Sequence, residues 1–338
     1  MSTRNRLPDT RILQHVKSRN VHFAGNQGSQ NISQLMKISS CFGCLFFSVA
    51  ATLCTNASKK AGHTYPYNTF TIPFLVEGSK LFVSVLLHLI SSPGNYHTSL
   101  AHFSLQSFAL HGAPALCYFV SNNCMFYVIR DLGPAVYQVT INLKIFTTAI
   151  FMRLFMGRKL SPLRWKALVI LVIGCAVSQY TCEQLESARN VRYRGYAFVL
   201  LNVTAAGAAG VLSEMLLKTT NGDQQLSIHL SNMQLYSFGV FFGAFSYLSN
   251  ENSRGLGLFH GFNAAAFAAV ISLSLMGLLI SVIYKYLDNF AKCFVTALSM
   301  LCVAFIDGCI NSRTPSMALM LGIVLTYIAI DQYHSFLS

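Results

Sequence analysis

Apolar runs long enough to cross a bilayer alternate with short polar connectors along almost the whole chain. A helix needs about 20 such residues to span a hydrocarbon core of about 30 Å. It also satisfies its own backbone hydrogen bonds, which lipid cannot. The runs predict ten transmembrane helices near residues 35–55, 70–91, 108–129, 133–152, 163–181, 195–217, 233–250, 264–284, 289–310 and 315–335. Turn signals separate several of them, including Ser91-Ser92-Pro93-Gly94, Ser161-Pro162 and Asn221-Gly222. Residues 1–34 are rich in Arg, Asn, Gln, Ser and Gly and show little periodicity. They are expected to form a disordered, basic N-terminal segment ahead of a membrane domain over 35–335. No connector is long enough for a soluble catalytic domain, and no cleavable signal peptide is apparent.

Polar residues inside these runs hold the candidate chemistry. Lys144 stands in the fourth run, within residues 135–145, and that span contains no acid. A lysine at a bilayer centre costs about 2.5–3.5 kcal/mol. It is therefore expected to face a water-filled cavity, an anionic ligand or a carboxylate from elsewhere. Tyr137, Ile141, Lys144 and Thr148 follow helical spacing, which places them on one face. Asp288, Lys292, Thr296 and Ser299 repeat that spacing in the ninth span. Two lysines from opposite halves can reach one phosphate, a task that suits the compact, rotatable ammonium. The competing reading pairs each lysine with an intramembrane carboxylate, and Asp288 lies one turn from Lys292.

Glu77 and Lys80 are i, i+3 neighbours in the second span, with Ser84 on the same face. They read either as a structural or gating pair or as ligand contacts. Glu214 and Lys218, spaced i, i+4 near the end of the sixth span, read as an ion pair at the cytosolic rim. Tyr118, Asn122 and Asn123 interrupt the third span, and Asn232, Gln234 and Tyr236 open the seventh. Carboxamides donate and accept, which suits a nucleobase edge, and tyrosine can stack on its face. The same groups also serve as hydrogen bonds between helices. The small residues of 205–210 read as close helix packing.

Composition narrows the class. The 338 residues are 53% hydrophobic and 10% charged, against about 25% charged in a soluble domain, and mean hydropathy is +0.49. Net charge is +13, with five Lys/Arg before residue 20 and five more from Arg153 to Lys166. In a membrane chain such clusters set topology rather than bind nucleic acid, and they place both termini in the cytosol. The ten cysteines lie mostly inside apolar runs. Cys41-Phe42-Gly43-Cys44 lacks partner ligands, so small buried apolar residues are expected rather than disulfides or a zinc site. P-loop, H-E-x-x-H and G-x-S-x-G patterns are absent. Neither an enzyme nor a cofactor is expected.

A short internal match adds a topological hint. Lys144-Ile145-Phe146-Thr147-Thr148-Ala149 and Lys292-Cys293-Phe294-Val295-Thr296-Ala297 both read K-x-F-x-T-A. Five spans separate the two, and an odd number inverts one copy against the other. Inverted repeats around a midplane site are a transporter device; chance similarity between two Thr/Ala-rich spans is the alternative.

Residues 135–149 resemble the fourth-span signature of nucleotide-sugar transporters of the CMP-sialic acid/UDP-galactose group. Further segments support it: Pro73 to Lys80, Tyr118 to Asn123, Gly157-Arg158-Lys159-Leu160-Ser161, Asn232-Met233-Gln234-Leu235-Tyr236 and Lys285 to Lys292. The passages around Tyr65-Pro66-Tyr67 and Phe151-Met152-Arg153 are similar to plant members. The resemblance extends over residues 35–335. It implies an all-α polytopic membrane protein of the drug/metabolite transporter type, with ten transmembrane helices in two inverted five-helix halves. It also implies an antiporter of the Golgi membrane, or the ER, that exchanges a cytosolic CMP-sugar or UDP-sugar for lumenal nucleoside monophosphate. Lys144 and Lys292 would meet the phosphates, and Asn122, Asn123, Tyr137, Gln138, Asn232 and Tyr236 would line the nucleotide. Glu77, Lys80, Glu214, Lys218 and Asp288 remain for gating or ion pairs. The bilayer, a nucleotide sugar and a nucleoside monophosphate are the expected partners, and a homo-oligomer is compatible with them. Ile141 and Asn142 depart from the Tyr-Gln usual before Leu-Lys, and Cys293 and Ser231 depart too, which bears on base and sugar choice. Another solute carrier of the same fold, or a non-transporting regulatory membrane protein, is the alternative.

Overall fold

The computed structural model describes residues 10–59, 65–91, 105–179, 193–218, 227–249, 257–310 and 316–334, with side chains from residue 34 onward except at 134, 135 and 334. Its elements are α1 (Thr10–Ala57), α2 (Thr71–Ser91), α3 (Leu105–Leu132), α4 (Pro134–Thr140), a 3-10 turn (Ile141–Leu143) and α5 (Lys144–Met156). They continue as α6 (Pro162–Ser178), α7 (Tyr193–Lys218), α8 (Ile228–Ser249), α9 (Ala264–Tyr286), α10 (Asn289–Ile310) and α11 (Met317–His334). Helix stands at each expected span, the fourth being α4, the 3-10 turn and α5 together, and the described residues include no strand.

Among the described residues, six segments are long and apolar enough to cross a membrane: Gln34–Ala57, Thr71–Ser91, Val136–Met156, Tyr193–Lys218, Ala264–Tyr286 and Asn289–Ile310. Of the others, α6 has only 17 residues, and the apolar part of α11, Met317–Tyr333, is also short. Polar side chains dilute the rest: His111, Asn122, Asn123, Arg130 and Asp131 in α3, and His229, Asn232 and Gln234 in α8. The helix of α1 begins at Thr10, upstream of the apolar run and within the stretch expected to be disordered. No proline interrupts it from Thr10 to Ala57, and a helix already nucleated by the span extends with no further nucleation cost.

Local chemistry sets the ends. Gly133 (φ 87°) turns the chain between α3 and α4, and Pro134 starts α4 without needing an N–H. Gly157 (φ 65°) closes α5 in the left-handed conformation, with its N–H on the Met152 carbonyl. Ser161 caps α6 by accepting from the Arg164 N–H at 3.4 Å, followed by Pro162. Asn263 caps α9, accepting from the Ala266 N–H at 2.8 Å while donating to the Ser58 carbonyl at 3.0 Å. At the far end of α3, buried Asp131 takes Arg194 at 3.2 Å and Arg130 at 3.1 Å. The Arg194 hydrogen bond, ahead of the Arg130 contact, holds its carboxyl below the ordinary carboxylate value against desolvation.

The main neighbours are α3 with α7, α1 with α9, α6 with α11 and α2 with α8, then α5 with α7, α3 with α8, α1 with α10 and α2 with α9. Small residues allow the closest approaches. On α6, a Cβ at Gly174 would lie 3.0 Å from the Leu325 Cβ, and on α11 one at Gly322 would lie 2.5 Å from the Ser178 Cβ. Gly207 and Gly210 on α7 lie against Thr147 and Asn289, the close packing expected for residues 205–210. Ile145, Met152, Leu168, Leu171, Phe290 and Phe294 form the largest core. Large apolar side chains such as Phe46, Phe82, Leu200, Phe241 and Ile271 point outward, a surface that suits lipid and not water. All nine described cysteines are free.

Candidate functional site

Helices α2, α3, α7, α8 and α9 and the first turn of α10 enclose a cavity of about 390 Å³, within the range of small-molecule pockets. Its polar groups form two clusters. In the first, Lys80 Nζ donates to Glu77 Oε1 at 2.6 Å and lies 4.3 Å above the Tyr236 ring. The Tyr236 hydroxyl in turn shares a hydrogen bond with Ser281 Oγ at 3.0 Å. In the second, Lys292 Nζ donates to the Tyr284 hydroxyl at 2.7 Å, and Tyr284 meets the Tyr118 hydroxyl at 3.3 Å. Asn123 Nδ2 donates to the Phe119 carbonyl at 2.8 Å. Asn122 also lines the space and is exposed to it.

Of the residues singled out in the sequence, the cavity collects Asn122, Asn123, Tyr236, Lys292, Glu77 and Lys80. Lys144, Tyr137, Gln138, Asn232, Glu214, Lys218 and Asp288 are not among its walls. The 3-10 turn lies between Tyr137 and Lys144 and turns their faces apart. Three residues wound at about 120° instead of 100° rotate the helix face by roughly 60°. Tyr137 accordingly packs on Val128, Leu132, Val199 and Val203, whereas Lys144 lies within electrostatic range of Lys292, Cys293 and Cys175. Gln138 is exposed, and Asn232 is buried. Asp288 does not pair with Lys292; its carboxylate accepts from the Ala291 N–H at 2.8 Å and caps α10. The described residues place no carboxylate in ion-pair contact with Lys144 or Lys292.

Glu214 and Lys218 form a separate centre. Glu214 is fully buried. It accepts from Lys218 at 2.6 Å, Arg158 at 3.2 Å and the Asn289 N–H at 2.8 Å. Lys218 also donates to the Leu287 carbonyl. These contacts join the end of α7 to the α5–α6 connector and to the α9–α10 turn.

Sequence reasoning leaves Tyr284 out of the site, and it counts Tyr118 among the rings that can stack on a nucleobase without naming it as a site residue. Both are phenols in aromatic-rich helices, where a lipid-facing ring and a cavity ring look alike. The signal available for Tyr284 is its position one turn before the Asp288 cap that leads into Lys292.

Two glycines make room for the Glu77–Lys80 pair. A Cβ on Gly239 would stand 2.5 Å from Glu77 Oε2, and one on Gly277 would stand 2.7 Å from Lys80 Cδ. Gly239→Ala is therefore expected to displace Glu77 and lower the melting temperature, overpacking costing about 1–3 kcal/mol. An unchanged melting curve would mean that the pair has room to move.

Comparison with known proteins places this architecture. The nucleotide-sugar transporter family matches residues 32–334. The chain is 30% identical over 308 residues to CMP-sialic acid transporter 1 of Arabidopsis thaliana, covering 85% of this chain and 88% of that one. It is 32% identical over 292 residues to CMP-sialic acid transporter 1 of Oryza sativa subsp. japonica, covering 82% and 88%. It is 32% identical over 238 residues to UDP-galactose translocator 1 of Caenorhabditis elegans, covering 68% and 66%. A solved crystal structure 13% identical in sequence superposes with a TM-score of 0.66 over 90% of this chain and 97% of that one, which shows a shared fold. The relatives are transporters, and with its apolar helices and its match along nearly the whole sequence this chain belongs to the nucleotide-sugar transporter family.

Proposed function

We propose that this protein exchanges a cytosolic CMP- or UDP-sugar for lumenal nucleoside monophosphate across the Golgi or ER membrane, with both termini in the cytosol. The observation that bears most weight is Lys292. It is a cation in the cavity wall held by a phenol and not by a carboxylate, so an anionic phosphate is its natural partner. Lys144, which holds the matching place in the other half of the sequence repeat, would add a second charge. Two like charges cross an apolar barrier poorly when empty, which favours exchange over one-way flow. Asn122, Asn123, Tyr118 and Tyr236 supply amides and rings for the nucleoside.

The helix pairing supports two inverted five-helix halves. Shifting each span by five carries α3–α7 onto α9–α1, α5–α7 onto α10–α1 and α3–α8 onto α9–α2, and leaves α6–α11 and α2–α8 in place. Several of the lesser pairs lack a counterpart among the described residues, the largest being α7 with α9, for which α1 and α3 make no comparable contact. In a two-fold transporter such an asymmetry marks one gate closed and its counterpart open. The closed one lies at the Glu214 centre, on the side of the basic α5–α6 connector.

The test uses proteoliposomes preloaded with CMP or UMP and offered a panel of CMP- and UDP-sugars. Uptake of at least one sugar nucleotide is expected to rise with the matching internal monophosphate. Uptake of none, from correctly folded protein, would sink the proposal.

A further inference from the structure

A second cavity, of about 360 Å³, lies among the end of α5, the α5–α6 connector, the start of α6, the α9–α10 turn and the end of α11. Met152, Arg158, Lys159, Arg164, Asp288 and Tyr333 are in its walls, and it shares no lining residue with the first cavity. Three cations thus face one carboxylate. That carboxylate is already engaged, because Asp288 caps α10. Arg158 is drawn to Glu214 at 3.2 Å. Lys159 and Arg164 make no ion pair with a carboxylate among the described residues.

The arrangement favours a tetrahedral anion. The Arg164 guanidinium lies over the Tyr333 ring at 5.4 Å, which fixes its plane and leaves its edge donors for a ligand. Lys159 adds a rotatable ammonium. The N-terminus of α6, with Arg164 in its first turn, contributes the positive end of a helix. Just before Gly157, Leu154 and Phe155 are 67% and 48% exposed, so the lipid-facing surface of α5 gives way to cations within a few residues. That border is the level of lipid headgroups.

We propose that this pocket binds a phosphomonoester, presented by a membrane lipid headgroup or by a soluble phosphate of the same chemistry. The proposal does not rest on transport, and its test reads binding alone. Purified full-length protein in detergent would be titrated with phosphatidylinositol monophosphate, inositol bisphosphate, inorganic phosphate and phosphatidylserine, followed by native mass spectrometry and thermal shift. Phosphatidylinositol monophosphate is expected to stay bound and to raise the melting temperature. An equal effect of inositol bisphosphate or inorganic phosphate assigns the pocket to soluble phosphate, and an effect of the lipid alone assigns it to a headgroup. Lys159→Ala and Arg164→Gln are each expected to weaken binding about tenfold. Lys159 is exposed, so its removal leaves the fold intact even if Arg164→Gln does not. The proposal is overturned if no phosphomonoester probe binds, if phosphatidylserine binds as well as the monophosphate lipid, or if Lys159→Ala binds like the parent protein.

Discussion

In the Lys292→Ala protein, sugar-nucleotide exchange is expected to fall by on the order of 10- to 100-fold, the effect of removing one charged hydrogen bond to a phosphate, with no loss of thermal stability. The first half follows from the cavity. Lys292 is the cation of the second polar cluster, and it donates to a neutral phenol, Tyr284, at 2.7 Å. Glu77 already offsets the other cavity lysine, Lys80, at 2.6 Å. The second half follows from the same geometry. Removing Lys292 leaves no orphaned acid, and Tyr284 keeps Tyr118 at 3.3 Å. Lys292→Arg keeps the charge but replaces a rotatable point donor by a planar fork, so partial activity is expected. Lys144→Ala serves as the comparison. Lys144 lies outside the cavity wall, so its removal should cost less than that of Lys292. Proteoliposome exchange with melting curves on the same preparations checks all three. Normal exchange by folded Lys292→Ala would remove the lysine from the site.

The residues that sequence reasoning reaches are those whose chemistry is costly in lipid. Lys292, Lys80, Glu77, Asn122 and Asn123 stand out because a bare charge or amide in an apolar run demands a reason. Most of the helices are equally legible, since their runs are bounded at one end or both by Gly, Pro or Asn. What stays hidden depends on rotation about a helix axis. The spacing of Tyr137 and Lys144 implies one face only if the helix is regular, and the 3-10 turn at Ile141–Leu143 breaks that regularity. Asp288 one turn from Lys292 reads equally as a partner or as a cap, and only the Ala291 N–H decides for the cap. Tyr284 is hidden for another reason: hydropathy cannot separate a ring facing a cavity from one facing lipid.

Glu214→Ala is expected to give the largest loss of stability, about 3–5 kcal/mol, because it removes one member of a buried charge network and leaves the others unpaired. Glu214 has a side chain with 0% exposure and two cationic partners, Lys218 at 2.6 Å and Arg158 at 3.2 Å. It also receives the Asn289 N–H at 2.8 Å, one of the unpaired donors at the start of α10. Lys218 would keep the Leu287 carbonyl, but a carbonyl does not balance its charge. Glu214→Gln separates the two contributions. An amide oxygen can still accept from Asn289, so the α10 start should survive while the attraction to Lys218 and Arg158 disappears, and the melting temperature should fall less. If the centre also closes one gate, both variants should expose the α9–α10 turn. A cysteine placed at Asp288 should then be modified faster in the Glu214→Gln background than in the parent. Equal melting temperatures for Glu214→Ala and the parent protein would show that the network is already hydrated and stabilises nothing. Equal modification rates would leave Glu214 as a structural brace and move the gate elsewhere in the α7–α9 contact.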